Sequence, residues 1–361
     1  MAVKKTLSRK QRFFNKINFT TDDEVYVGID VHKKNCHIAI RLNGALALTF
    51  VAPSDNIAIA RMMCKLNPAV KKIVYEAGPT GFSLARTLKK ASLPVAVIAP
   101  SKIPRPSAQQ AKSDQLDCRK LAEFAEKDLL VEVAIPDSRQ ESDRQVVRLH
   151  NHLRDKRKRI KHQIKSFLLQ HNIPEPDGLK DWTKQSIVQL RNIELCRQLR
   201  FTLAVMLDEL NYLLTQIKRV RLELKNIYSK EHHSKQMEIL QSHPGVGPIT
   251  ARHFRAEVFN PERFDKATQL TRYLGLCPHV SQSGQKRIDG RLMKAGQVKL
   301  RADLVEASWV WIRIDPAAKK VFLRLLANTS EPNKAIAAMA RRLAIHLWKM
   351  LCDEQPYRKT A

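Results

Sequence analysis

The chain has few acidic residues, few aromatic residues and few glycines. Of its 361 residues, 35 are Asp or Glu, 11 are Gly and 6% are aromatic. The low glycine content excludes a collagen-like chain, and so few aromatic residues provide no obvious platform for stacking bases. No run of about 18 apolar residues is present, which excludes a membrane-spanning helix. Hydrophobic residues make up 43% of the chain, enough for the cores of the two or three domains that its length predicts.

Cysteine is also sparse, and its residues are scattered along the chain. The six cysteines stand singly and form no CxxC motif, so neither a zinc site nor a disulfide framework is indicated. This pattern is typical of a reducing cytoplasm. The first 24 residues are basic but lack the apolar stretch of a secretory signal. Transit peptides share this composition, although an arm that contacts nucleic acid fits the rest of the chain better.

Positive charge is what the chain has in excess. Lys and Arg total 64, which gives a formal net charge of +29. Such a charge destabilises a compact fold by self-repulsion, which a polyanion relieves. Lys and Arg also release counterions when they neutralise phosphates. Nucleic acid is therefore the predicted partner, with a merely basic protein as the alternative, and charge alone does not distinguish DNA from RNA.

Residues 25–135 are predicted to form an α/β domain. Strand-like and helix-like apolar patterns alternate there, and Asn43-Gly44 between two strands is typical of a hairpin. The predicted strands are Val25–Val31, Cys36–Leu42, Ala45–Val51, Lys72–Glu76 and Pro94–Ala99, and the predicted helices are Asn56–Leu66, Phe82–Ala91 and Ser113–Asp128. Hairpin strands followed by alternating helices and strands predict a mixed sheet.

Residues 136–235 are predicted to be helical. They contain a densely basic segment whose cations are candidates for contact with a polyanion: Arg154, Lys156, Arg157, Arg159 and Lys161. Further along, apolar residues recur at spacings of three and four, broken by Arg221. These are Leu203, Leu207, Leu210, Leu214, Ile217 and Leu224. This pattern fits either an ordinary core helix pair or a dimer-forming coiled coil.

Four carboxylates of the α/β region fall where its elements end or begin. Asp30 interrupts the apolar run VGIDV, and Glu76 ends a strand before a Gly-Pro turn. Asp114 and Asp117 lie three apart at the start of a helix. Such positions can converge in α/β proteins, and clustered carboxylates suit divalent cations that assist phosphoryl transfer. The alternative for each residue is a surface or helix-terminal charge.

Residues 236–355 begin with a glycine turn and continue into a basic stretch. The turn HPGVGP resembles a helix-hairpin-helix, in which backbone N–H groups around Gly245 and Gly247 would hold phosphate. The alternative is a plain turn between helices. The stretch from Cys277 to Gly296 is expected to be rich in loops. Cations in and just after it would position a DNA backbone or form a solvated surface: Lys286, Arg287, Arg291, Lys294, Lys299 and Arg301.

Ser283 is a candidate nucleophile in this basic stretch. It precedes Gly284, and its hydroxyl could reach a scissile phosphate. No His/Asp partner of a catalytic triad is evident nearby, but a metal ion could activate the hydroxyl. On spacing alone, an ordinary loop serine is the better interpretation.

These segments resemble those of a known family. VGIDVHKKNCHIAI, YEAGPTGFSLARTL, VIAPSKIPR and KSDQLDCRKLAEF, followed by HPGVGPITA and YLGLCPHVSQSGQKRIDGRLMKAGQVKLRADLVEAS, occur in the order of the DEDD-type insertion-sequence transposases. The resemblance covers about residues 25–350. It implies a RuvC-like, RNase H-type N-terminal domain, a mainly α C-terminal transposase domain and serine-dependent DNA recombination.

The resemblance also implies roles for single residues. The family's acidic tetrad falls on Asp30, Glu76, Asp114 and Asp117 and implies binding of Mg²⁺. The family's nucleophilic serine lies in an SG motif that matches Ser283 best, with Ser281 as the second choice, and implies a covalent phosphoserine. A structured RNA encoded by the element can guide the choice of DNA in this family. One departure is Gly296-Gln297, where family members often have Gly-Asn.

The resulting prediction is a transposase or recombinase of an insertion sequence. Its expected regions are a basic arm (1–24), a RuvC-like domain (25–135), a helical coiled-coil region (136–235) and a C-terminal transposase domain (236–355). The expected partners are DNA, a guide RNA and further copies of the chain in a dimer or tetramer, with no membrane, in the bacterial cytoplasm at the nucleoid. The alternatives are a Holliday-junction-type nuclease that uses a metal ion and water, and a non-catalytic nucleic-acid-binding protein.

Overall fold

The computed structural model describes residues 9–16, 18–104, 114–283, 286–293 and 296–358. The chain divides into two compact units, Met1–Asp137 and Ser138–Ala361. The first unit holds the strands β1 Val25–Val31, β2 Asn35–Leu42, β3 Ala45–Pro53, β4 Val70–Glu76, β5 Val95–Ile98 and β6 Glu132–Val133. Its helices are α1 Arg9–Lys16, α2 Asn56–Cys64, α3 Ser83–Lys90 and α4 Asp114–Glu126, with a 3-10 turn at Pro100–Lys102.

The six strands form one mixed sheet in the order β3-β2-β1-β4-β5-β6. The strands β1, β2 and β3 are antiparallel, β1, β4 and β5 are parallel, and β6 pairs antiparallel with β5. The mixed sheet predicted from the sequence is confirmed, including the β2–β3 hairpin, whose turn holds Asn43 and Gly44 at positive φ. The two-residue strand β6 is an addition to the predicted set. Ser113, the first residue of the predicted helix after β5, lies outside the described residues.

Helices cover both faces of the sheet. On one face, α2 and α3 bury Ile59, Met63 and Leu88 against the strands. On the other face, α4 buries Leu121 and Ala125 against β4 and β5. Part of the N-terminal arm also belongs to this unit, because the phenylalanines of α1 pack against the core at the β3 edge.

The second unit is mainly helical. Its helices are α5 Ser138–Gln170, α6 Lys184–Asn192, α7 Arg197–Tyr228, α8 Glu231–Gln241, α9 Pro248–Val258, α10 Ala267–Tyr273, α11 Val298–Ile314, α12 Pro316–Thr329 and α13 Pro332–Cys352, with a 3-10 turn at Pro261–Arg263. Its strands are β7 Pro278–Ser283 and β8 Lys286–Leu292, which form a hairpin. Proline occupies the first helical position of α9, α12 and α13, where its missing N–H costs nothing.

The apolar repeat on α7 is used within the chain. Leu203, Leu207 and Leu210 are buried against Ile160 and Ile164 of α5. The C-terminal half of α5 therefore lies beside the N-terminal half of α7, and the two long helices run antiparallel. Of the predicted seam, Leu214 is only partly buried, and Leu213 takes the fully buried position. These residues form a core helix pair, the first of the two alternatives from the sequence.

Among the residues that the structure describes, no helix is both long enough and apolar enough to span a bilayer.

Candidate active site and nucleic-acid interface

Asp30 and Glu76 lie at the ends of two neighbouring parallel strands. β1 and β4 pair in parallel with Ile29 opposite Tyr75, so Asp30 and Glu76 follow at the same edge of the sheet. The three residues before each carboxylate, Val27–Ile29 of β1 and Ile73–Tyr75 of β4, are buried in the core. The carboxylates are half-buried, and the side chain of Asp30 is 21% exposed. The sheet therefore brings together two of the four predicted metal ligands.

Helix α4 reaches the same place through a close contact with β1. A Cβ atom added to Gly28 would overlap the carbonyl oxygen of Cys118 and lie 2.5 Å from the backbone nitrogen of Ala122. Only glycine allows the helix backbone to lie this close to the strand. Gly28 is two residues before Asp30, and Cys118 directly follows Asp117. The contact therefore places Asp117 on the element that covers the Asp30 strand.

Two side-chain contacts hold α4 to the hairpin strands. The guanidinium of Arg41 on β2 donates to the carboxylate of Glu126 at 2.8 Å. The Arg119 guanidinium on α4 donates to the Thr49 hydroxyl at 3.2 Å. Arg119 lies within the stretch of α4 that contacts Gly28, and Glu126 lies one turn beyond it, so both contacts hold α4 over the sheet.

The surroundings of Asp30 are polar on one side and apolar on the other. The Nε2 atom of His32 lies 2.9 Å from a carboxylate oxygen of Asp30. The thiol of Cys118 is buried, and burial together with the charge of Asp30 raises its pKa to about 11. The thiol is therefore neutral at physiological pH and packs as a small apolar side chain against Ala39 and Ala122.

The donor set fits a hard divalent cation. Carboxylate oxygens are the ligands that Mg²⁺ prefers, and Asp30, Glu76 and Asp117 belong to β1, β4 and α4, which pack against one another. Among the side chains that the structure describes, no three His, Cys, Asp or Glu residues already converge as a metal-binding group. Asp114 begins α4, one turn before Asp117 and on the same side of the helix, and its side chain lies outside the described part.

Ser283 is the last residue of β7, at the tip of a β-hairpin. It pairs with Lys286 on β8, and Ser281 pairs with Ile288. The expectation of a loop-rich stretch from Cys277 to Gly296 is therefore wrong for most of its length. Alternating apolar and polar residues on both sides of a two-residue connection are a hairpin pattern. Gly284 and Gln285 lie outside the described residues.

The base of this hairpin is fixed by Arg301 from α11. Its guanidinium donates to the carbonyl oxygens of Gly275 at 2.9 Å and Met293 at 2.8 Å. Gly296 lies against Gly275 with φ +95°, a conformation and a contact that only glycine accepts. Arg301, predicted to contact DNA, is thus occupied within the fold. Lys299, from the same prediction, forms an ion pair with Asp155 at 2.6 Å.

The other predicted cations of this region lie on or beside the hairpin. Lys286, Arg287 and Arg291 lie on β8, and nothing further is described of their side chains. Lys294 lies outside the described residues. Their positions along one strand and its end are those expected for contacts to a nucleic-acid backbone.

The glycine turn before α9 has two different glycines. Gly245 has φ +90° and lies against the backbone of α11. A Cβ atom added to it would lie 2.5 Å from the carbonyl oxygen of Ala307. This close packing gives it a structural role. Gly247 is exposed, caps the N-terminus of α9 and has open space around it. Of the two predicted phosphate contacts, Gly247 therefore has the more accessible backbone.

The basic segment of α5 contains exposed and half-buried cations. Lys156 and Arg159 are exposed. The ammonium of Lys161 lies 4.8 Å above the ring of Trp182, and the guanidinium of Arg154 lies 3.3 Å from an Asp303 carboxylate oxygen. Arg157 is half-buried near Arg154 of the same helix and Arg221 of α7. The segment therefore has an outer basic surface and an inner one that faces α7 and α9.

The inner surface contains residues that sequence reasoning missed. Arg221 of α7 and Arg252 of α9 line a small concavity together with His150 and Asn151 of α5. The only sequence signal for Arg221 was its interruption of the apolar repeat. Arg252 lies among other charged residues of α9 and gave no signal, because only the packing of the three helices brings these side chains together.

Comparisons with known proteins support a single family. A model of the IS116/IS110/IS902 transposase family matches residues 237–323, and a second transposase model, that of the DEDD type of IS110, matches residues 27–173. The chain belongs to the IS110 family of DEDD transposases. The match to residues 27–173 covers most of the first unit and the start of the second, the match to residues 237–323 lies within the second unit, and both occur in the order predicted from the sequence.

Several known proteins are similar over most of the chain. The y4qE protein of Sinorhizobium fredii is 28% identical over 335 residues, which are 91% of this chain and 82% of its own length. The transposase for insertion sequence element IS1533 of Leptospira borgpetersenii is 26% identical over 343 residues, 93% of this chain and 98% of its own length. The transposase for IS1111A of Coxiella burnetii is 24% identical over 278 residues, 76% of this chain and 75% of its own length.

Family membership establishes the general activity. This transposase is an enzyme that cleaves DNA and exchanges its strands, and DNA is therefore its substrate. The DEDD type also indicates that a divalent metal ion takes part.

Proposed function

We propose that this transposase cleaves and joins DNA through a covalent phosphoserine formed by Ser283, with Mg²⁺ bound by Asp30, Glu76, Asp114 and Asp117. The observation that carries the proposal is the close contact of α4 with β1 at Gly28, because α4 bears Asp114 and Asp117 and β1 ends beside β4 with Asp30 and Glu76. The position of Ser283 at the tip of a basic hairpin supports its role, because a tip can approach a phosphate that a flat surface cannot reach.

Each step of the proposed chemistry replaces one ester bond to the phosphate with another, so no phosphate is released. The Ser283 hydroxyl loses its proton and attacks phosphorus, so that an Oγ–P bond forms and one P–O bond to a deoxyribose breaks. The departing sugar oxygen takes up a proton and becomes a free hydroxyl. A hydroxyl of the partner strand then attacks the phosphoserine and releases the serine. When bound, Mg²⁺ supplies stabilisation of the charge on the phosphate oxygens.

The cations of the hairpin position the DNA in this proposal. Lys286, Arg287 and Arg291 on β8, with Lys294 after it, would hold the backbone beside Ser283 without reading bases. Arg301 would keep the hairpin base in place through its bonds to the two carbonyl oxygens. The exposed Gly247 at the N-terminus of α9 would add a backbone contact to a phosphate.

A guide RNA and further copies of the chain are the proposed partners besides DNA. The net charge of +29 exceeds what the hairpin region alone accounts for, and the outer basic surface of α5 is open for a second polyanion. On α7, Phe201, Val205 and Tyr212 share the face opposite the buried repeat and are 71%, 52% and 62% exposed. Such an apolar stripe supports a dimer or tetramer in which two copies of α7 cover each other.

Denaturing electrophoresis tests the proposed function. The protein, with its co-purifying RNA, is incubated with labelled ends of its element and Mg²⁺. We expect a protein–DNA adduct that survives denaturation, is absent in Ser283→Ala and in Asp30→Asn, and persists in Ser281→Ala. An adduct lost only in Ser281→Ala would move the nucleophile to that residue. Cleaved DNA with no adduct would overturn the proposal in favour of a nuclease that uses water.

A further inference from the structure

Arginines from three helices lie in or near one small concavity in the second unit. Arg154 and Arg157 lie on α5, Arg221 on α7 and Arg252 on α9. The concavity is lined by Arg221, Arg252 and His150, with apolar side chains between them. Arg221 and Arg252 therefore line the concavity, and Arg157 lies close enough to Arg221 and Arg154 to be repelled by both.

Only one of these arginines is matched by a carboxylate. The Arg154 guanidinium lies 3.3 Å from one oxygen of Asp303, and the other oxygen of Asp303 accepts a hydrogen bond from Nδ1 of the buried His253 at 2.7 Å. Within the ranges that the structure describes, no carboxylate lies at ion-pair distance from Arg157, Arg221 or Arg252. Three positive charges at this place therefore have no internal counter-charge.

His150 holds Arg221 without adding charge. The Nε–H of Arg221 donates to Nε2 of His150 across 3.4 Å, which requires that nitrogen to be unprotonated. His150 is 2% exposed, and burial together with Arg221 and Arg154 lowers its pKa to about 4. At neutral pH it is an acceptor that directs the Arg221 guanidinium along the concavity wall.

Without a bound anion, this arrangement of arginines lowers the stability of the protein. Burial and the neighbouring Arg221 and Arg154 lower the pKa of the Arg157 guanidinium, and burial lowers that of Arg252. Gathering like charges in partly buried positions is unfavourable unless an anion is bound. Guanidinium groups bind phosphate oxygens with two parallel hydrogen bonds, which an ammonium group does not reproduce.

We propose that Arg157, Arg221 and Arg252 bind a backbone phosphate of the DNA on which the transposase acts. DNA is the favoured source of this phosphate because family membership establishes it as the substrate. The site lies away from the Ser283 hairpin in sequence and would hold the DNA rather than react with it. The inference deepens the proposed function and rests on its assignment of α5 to nucleic-acid binding.

Binding of a fluorescein-labelled DNA duplex, followed by anisotropy, tests the site. Arg157→Gln and Arg221→Gln in the full chain are compared with Lys158→Gln and Arg219→Gln, exposed cations on the same two helices. Between about 50 and 200 mM salt, we expect each site variant to weaken binding roughly 5- to 30-fold and to reduce the salt slope by about one. The control variants should change the affinity less than about twofold. Unchanged affinity in both site variants would overturn the proposal.

Melting temperature separates a binding site from a structural role. Without DNA, Arg157→Gln and Arg221→Gln should melt at the wild-type temperature or above, because they relieve repulsion. A lower melting temperature in both variants would overturn the proposal, and so would a loss of affinity confined to a structured RNA of equal length. Arg157→Lys keeps the positive charge but loses the planar guanidinium that forms two parallel hydrogen bonds. It should therefore bind DNA with intermediate affinity.

Different results would refute the phosphate site and the phosphoserine mechanism. At saturating DNA, the site variants should still form the covalent adduct, since they leave the hairpin and the carboxylates intact. Ser283→Ala should lose the adduct and keep wild-type DNA affinity. Loss of affinity in the arginine variants together with no adduct in the wild type would support the phosphate site while refuting the mechanism.

Discussion

The contact between Gly28 and helix α4 predicts that Gly28→Ala displaces the helix and reduces activity. The added methyl group would lie 2.5 Å from the Ala122 nitrogen and even closer to the Cys118 carbonyl oxygen, both of which are helix backbone that cannot rotate away. Restoring ordinary contact needs a shift of α4 of about 1 Å, at an overpacking cost of about 1–3 kcal/mol. The shift would move Asp117 relative to Asp30.

A displacement of this size matters more for activity than for folding. A misplacement of about 1 Å in a catalytic group can reduce a rate by about 100-fold. We therefore expect Gly28→Ala to remain folded in a thermal melt but to lose most Mg²⁺-dependent adduct formation with labelled element ends. Gly78→Ala is the matched control, because the nearest atom to its added methyl is 3.9 Å away. Wild-type stability and activity in Gly28→Ala would refute the seating of α4 on β1.

Three further predictions follow from buried charge and exposed surface. Burial lowers the pKa of His150 and His243 to about 4, below the 6.5 of an unfolded histidine. The stabilisation from the neutral histidines should therefore be complete above about pH 6.5 and decrease toward pH 4 by on the order of 1–3 kcal/mol per histidine. Urea unfolding at several pH values measures this change. Glu257→Gln should lower the free energy of unfolding by about 3 kcal/mol, because the buried carboxylate accepts from Arg148 at 2.9 and 3.1 Å. Phe201→Ser should reduce the oligomer mass measured by light scattering, since this exposed ring lies on the apolar stripe of α7.

Each of these predictions has a control on the same protein. His152 is exposed on α5, so His152→Gln should leave the pH dependence unchanged, whereas His243→Gln should flatten it. The Glu123 side chain is 40% exposed on α4, and Glu123→Gln should cost little. Leu323 is a 52% exposed apolar residue of α12, and Leu323→Ser should leave the oligomer mass unchanged. Equal effects in a variant and its control would contradict the prediction concerned.

The sheet of the first unit could be predicted because local pattern and burial agree there. Val25–Val31 is apolar on both faces, since helices cover both sides, and its bounds match the prediction. The strand β6 has only two residues and is defined by its pairing with β5, so no local sequence pattern predicts it. The hairpin β7–β8 was expected as a loop because its many polar and basic residues outweighed their alternation.

The candidate sites depended on the family resemblance to different degrees. Strand ends and helix starts indicated Asp30, Glu76 and Asp117 from physical reasoning, and the tertiary contact at Gly28 supports their convergence. Ser283 could be singled out only by resemblance, since a serine beside a glycine is common in turns. The arginine site could not be predicted, because it depends on how α5, α7 and α9 pack. The division of the second unit into a helical region and a C-terminal domain stays a prediction.

The most direct test of the account is to locate the covalent bond in the trapped protein–DNA adduct. The adduct is digested with nuclease and protease, and the peptide that carries the residual nucleotide is sequenced by mass spectrometry. The account predicts a nucleotide phosphate on the oxygen of Ser283, in an amount that depends on the carboxylate of Asp30. A nucleotide on any residue other than Ser283, or cleaved DNA with no modified peptide, would contradict it.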